Sequence, residues 1–146
     1  MGIIKATLSL IVAVAVTYVL TSVMGTQFVL AEIQSFGLNI SISDRIAATL
    51  HDIAGLVPVL LTLVSATFLI AFIIASIGAR LFGSHHKGWY LAAGFTSLPV
   101  TMVLIKTAMG ITPFAAAGSA FGLFLIALCG LAGGWVFVLL LRHRGA

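Results

Sequence analysis

The chain is 146 residues long, 62% hydrophobic and only 7% charged, whereas soluble domains carry about 25% charged residues. A water-soluble domain of this size could not hide so much apolar surface, so the composition excludes that class and points to lipid as the solvent for the outer face. Seven Lys and Arg, giving a net charge of +4, are spread thinly along the chain, which excludes the clustered basic face of a nucleic-acid binder, and a single cysteine, Cys129, excludes an internal disulfide or a zinc site built on thiolates.

The first apolar stretch covers residues 6–31, between Lys5 and Glu32. It supplies the roughly 20 apolar residues that a spanning helix needs. The span is placed at residues 4–25, with an end or bend at Met24, Gly25 and Thr26. A charged Lys5 ahead of an apolar core also resembles a secretory signal peptide, but the stretch is longer than such a core and is expected to stay uncleaved. Residues 27–36 are too short to span. Wound as a helix, they put Phe28, Val29, Leu30, Ile33 and Phe36 on one arc and Gln34 and Ser35 opposite, the pattern of a helix lying in the membrane surface. An interfacial segment is therefore expected over residues 26–43; the competing reading continues the first helix into water. Within it, the run GLNISIS reads as a loop. Ser41 or Ser43 is the candidate N-cap for the next helix, with Asp44 in its first turn, where the positive helix end favours a carboxylate.

The second helical pattern runs over residues 44–82, roughly 58 Å at 1.5 Å per residue. That exceeds a bilayer, so its first turns stand proud or the helix tilts. Pro58 removes the bond to the Ala54 carbonyl and is expected to kink it. The third span is placed at residues 88–110, with Lys106 inside its end. The fourth is placed at residues 114–141, with Pro113 positioned to start it. The fold class expected is all-α: an integral membrane four-helix bundle forming a single transmembrane domain over residues 1–146.

Charge sets the expected orientation. Lys5, Arg80, Lys87, Arg142 and Arg144 fall on one side; Arg45 and Lys106 fall on the other with all three acids, Glu32, Asp44 and Asp52. By the positive-inside rule the five-cation side is cytoplasmic, giving both chain ends inside. Trp89, Tyr90 and Trp135 sit at the inner ends of their helices as interfacial anchors. The small size and short loops suggest a bacterial inner (cytoplasmic) membrane.

No catalytic set assembles: the chain has no cysteine pair, no Gly-rich phosphate loop, no HExxH and no serine elbow. Lys106 lies one or two turns below the outer surface by helix rise, where a charge is paired or snorkels. Asp52 lies at similar depth and Glu32 is the other candidate partner, so Lys106, Asp52 and Glu32, with His51 and Arg45 nearby, form the candidate pocket or ion-pair group. His85, His86 and His143 share the cytoplasmic side as weak metal candidates, without a carboxylate to complete a site. A b-type haem needs two facing intramembrane histidines, and only His51 approaches membrane depth, so no cofactor is expected. The fourth span carries Gly118, Gly122, Gly130 and Gly134 in two small-xxx-small repeats, a pattern that permits close helix packing. They fit either the protein's own bundle or an interface with a second copy or another membrane protein.

Three functional readings follow. The first is a non-catalytic subunit, assembly or scaffold component that packs against membrane partners. The second is a small transporter, or a lipid- or small-molecule-binding protein, with an outward pocket around Lys106 and Asp52. The third is an outward-facing membrane enzyme.

Overall fold

The computed structural model describes residues 2–82 and 86–143, with the side chains of His86 and His143 left out. The described chain is helical, and four of its helices are long and apolar enough to cross a membrane. These are α1 (Gly2–Ser35), α3 (Thr62–Phe82, led by a π-helical turn Val57–Leu61), α4 (His86–Met109) and α5 (Ala120–His143). A fifth helix, α2 (Ile42–Gly55), precedes the π turn, and a 3-10 turn (Ala115–Gly118) precedes α5.

α1 does not end at Gly25. It runs unbroken for 34 residues, about 51 Å by helix rise, and ends at Gly37, whose φ of 86° suits the glycine that follows a helix. Residues 27–35 therefore extend α1, the competing reading of the sequence, and are no separate interfacial helix. A glycine inside a helix costs about 1 kcal/mol against alanine. Here it makes room for a ring: a Cβ at Gly25 would come within 2.1 Å of the Phe114 ring.

The amphipathic segment lies further on. Ser41 caps α2, accepting from the Asp44 N–H at 3.1 Å while the Asp44 carboxylate accepts from the Ser41 N–H at 3.3 Å, a reciprocal box that satisfies two otherwise unpaired donors. α2 buries no residue and leaves Ile42, Ile46 and Leu50 exposed along one side. The long helix expected over residues 44–82 is thus two helices. Pro58 lies in the π turn between them, as expected of a residue that cannot donate the next helical bond. Pro99, by contrast, sits inside an unbroken α4.

α4 ends at Gly110, with φ of 67° and its N–H on the Lys106 carbonyl at 3.0 Å. Pro113 does not start α5. The 3-10 turn intervenes, and Ser119 caps α5 by accepting from the Gly122 N–H at 3.0 Å.

α5 packs on α4 and on α1, α4 packs on α3, and α1 meets α3 more thinly. The spans thus form a ring in the order α1, α3, α4, α5, and successive spans run antiparallel. Phe68 and Phe72 of α3, Tyr90 of α4 and Phe137 of α5 fill the centre, with ring centroids 4.4 Å apart for Phe72 and Phe137 and 5.0 Å for Phe68 and Phe72. α2 packs on α1 and the π turn alone.

Candidate functional site

α2 runs antiparallel to the far end of α1, and a polar ladder joins them. The Arg45 guanidinium donates to the Gln27 side-chain carbonyl at 2.8 Å and to that of Gln34. The Gln27 amide donates to Thr49 Oγ1 at 3.1 Å. At the foot of the ladder Thr26 Oγ1 donates to Asp52 Oδ2 at 2.7 Å, and the Tyr18 hydroxyl donates to the Ile53 carbonyl. Arg45, Thr49 and Asp52 are spaced by four and three residues, which puts them on one helix face. The π turn follows just beyond Asp52 and leads into α3.

This foot borders a cavity of about 180 Å³. Its walls are Gly25, Thr26, Val29 and Leu30 of α1, Ala48, Asp52 and Leu56 from α2 and its end, and Phe114 and Ala115. Asp52 is half-buried. Among the described residues its carboxylate has no cationic partner, and its one hydrogen-bond donor is Thr26. A carboxylate placed at the end of a membrane span in apolar surroundings is costly unless a cation or further donors meet it.

The other residues singled out in the sequence lie elsewhere. Lys106 is exposed in the last turn of α4 and forms no ion pair among the described residues. Its position there suits a cation, because the carbonyl end of a helix carries partial negative charge. Among the described residues the candidate pairing of Lys106 with Asp52 or Glu32 is not made. Glu32 and His51 are both exposed, and Arg45 serves the ladder. His85 lies outside the described residues, as do the side chains of His86 and His143. Among the described residues no group of three His, Cys, Asp or Glu side chains could hold a metal.

The four glycines of the fourth span divide. A Cβ at Gly130 would stand 2.1 Å from the Gly94 carbonyl oxygen, and one at Gly134 would stand 2.8 Å from that of Tyr90, so both sit against α4. Gly122 is pressed onto Ala116 of the 3-10 turn. Gly118 is exposed with nothing nearby. Gly133, which the repeats do not pick out, meets Thr17 of α1 and Phe68.

One feature of α1 escaped the sequence reading. Its buried face is largely hydroxylic: Ser9, Thr17, Tyr18, Thr21, Ser22 and Thr26. Thr17 donates back to the Ala13 carbonyl at 2.8 Å, the single Thr26 hydroxyl proton is shared between Asp52 and the Ser22 carbonyl 3.0 Å away, and Thr21 lies beside the Cys129 thiol. Among the described residues the buried hydroxyls of Ser9, Thr21 and Ser22 make no hydrogen bond. The four-residue spacing of Thr17 to Thr21 and of Tyr18, Ser22 and Thr26 was the available signal, hidden because these residues read as neutral spacers in an apolar run. Compared with known proteins, the chain matches no protein-family model, no curated protein and no solved structure.

Proposed function

We propose that the chain is a small-molecule-binding membrane protein, a binder or small transporter, whose ligand sits in the Asp52 cavity on the outer side of the membrane. The observation that carries this reading is a carboxylate in the wall of an otherwise apolar cavity, with a single hydroxyl donor. Ligand sites are typically apolar hollows with a few convergent polar groups, and the polar ladder and the π turn fix Asp52 in that wall. The outward direction rests on charge: Lys5, Arg80, Lys87 and Arg142 lie at the opposite end of the bundle, the side expected in the cytoplasm.

The test is a thermal-unfolding screen of the full chain in detergent against small cations, neutral amides and carboxylates. At least one class is expected to raise Tm by mass action, and Ala48→Leu, which fills the cavity from α2, is expected to remove the effect. No stabilisation by any class, or a gain that Ala48→Leu leaves intact, overturns the reading.

A second reading, a subunit or scaffold for other membrane proteins, is favoured by a different observation. An apolar groove of about 550 Å³ lies between α1 and α3, lined by residues such as Leu10, Val14, Leu61 and Leu69. A partner helix seated there would be captured by photocrosslinking from Ala66 in native membranes; crosslinks to lipid alone would remove this reading.

A further inference from the structure

We infer that the ligand of the Asp52 cavity is an organic ammonium group, an inference that rests on the pocket reading above. Four properties of the cavity select this chemistry. First, its only charged wall group is anionic. An ionised carboxylate offers about four lone-pair sites, and Thr26 occupies one of them. The protein's own cations do not compete: Arg45 is held by Gln27 and Gln34, and Lys106 is exposed and makes no ion pair among the described residues.

Second, the rest of the wall is Val29, Leu30, Leu56 and Phe114, which would leave the polar groups of a sugar or an anion unpaired at a cost of about 1–3 kcal/mol each. An alkylammonium has one charged end for Asp52 and a carbon body for those side chains. The face of an aromatic ring such as Phe114 also attracts a cation. Third, a bare metal ion is not matched. Calcium takes 6–8 oxygen ligands, and the wall supplies one carboxylate and one hydroxyl. Fourth, the hollow, about 180 Å³ and open on one side, has room for an ammonium group together with its carbon substituents.

The same ammonium chemistry has two sources: a free small amine and the headgroup of an aminophospholipid. The experiment uses ethylammonium as the probe, with acetamide and acetate as its neutral and anionic counterparts, on the full-length chain in detergent. Ethylammonium is expected to raise Tm while acetamide and acetate do not. Asp52→Asn, which keeps the acceptor for Thr26 and the volume, is expected to weaken ethylammonium binding at least tenfold. Phe114→Leu keeps an apolar wall without the ring face, and is expected to weaken binding about three- to thirtyfold, a second reading should Asp52→Asn fold poorly. Stabilisation by acetamide or acetate in place of ethylammonium overturns the ammonium inference and leaves the pocket reading standing. Silence from every probe, neutral and charged, removes both. Repeating the titration in phosphatidylglycerol nanodiscs with and without phosphatidylethanolamine assigns the source. Competition by the aminophospholipid identifies a headgroup ligand, and unchanged ethylammonium binding identifies a free amine.

Discussion

Gly94 and Gly130 let two backbones touch, and that contact sets the spacing of α4 and α5. In lipid, helices gain no hydrophobic drive from one another and associate through close packing, so a methyl group at this point acts on the whole interface. Gly130→Ala is expected to destabilise the protein by about 1–3 kcal/mol, the usual cost of overpacking, read as a loss of resistance to denaturant in detergent. Gly118→Ala is the contrast. It has open space around it and no positive φ, and it is expected to be neutral or stabilising by up to about 1 kcal/mol. The sequence shows both glycines at the same spacing and cannot separate them, because periodicity states which residues share a face and not what that face meets. The same limit hid Asp52 from its true neighbour. Lys106 was the conspicuous intramembrane charge, yet the partner of Asp52 is the uncharged Thr26.

At the level of elements, the membrane-length helices were legible from length and composition alone, since 18 or more apolar residues have few other uses. The segment between the first two was not. Residues 27–36 and α2 both show an apolar arc, and no local pattern says which one pairs with α1 and which one is α1. Arg45 decides it by reaching two glutamines on the extended first helix. With no fully buried residue, α2 docks through this ladder and through the half-buried Ile53 near its end. Arg45→Ala is expected to raise amide hydrogen exchange across Ile42–Gly55 while α5 keeps its protection; equal loosening of both would show that α2 is held some other way. Pro58 was legible as a break, and it falls in the π turn between α2 and α3. Pro58→Ala restores a donor for the helical bond that proline cannot make, and is expected to slow amide hydrogen exchange across residues 57–61.

For the whole molecule, the charge asymmetry between the two ends is the sequence's clearest statement, and it yields a direct test of orientation. Asn39→Cys, in the exposed loop before α2, is expected to react with a membrane-impermeant maleimide in intact cells, and Lys87→Cys only after permeabilisation. Cys129 is buried and gives little background. The reverse pattern would turn the Asp52 cavity toward the cytoplasm.

The pairing of α1 with α5 also bears on how the protein is made. α1 presents Thr17 and Thr21 to Gly133 and Cys129 of α5, so these hydroxyls await their cover until α3 and α4 have been made. Throughout synthesis α1 is a helix with a polar stripe in hydrocarbon, held in place by its apolar back. A chain halted before α5 leaves that stripe open to lipid and to any neighbouring helix with hydroxyls of its own. Closure of this face of α1 thus waits for α5.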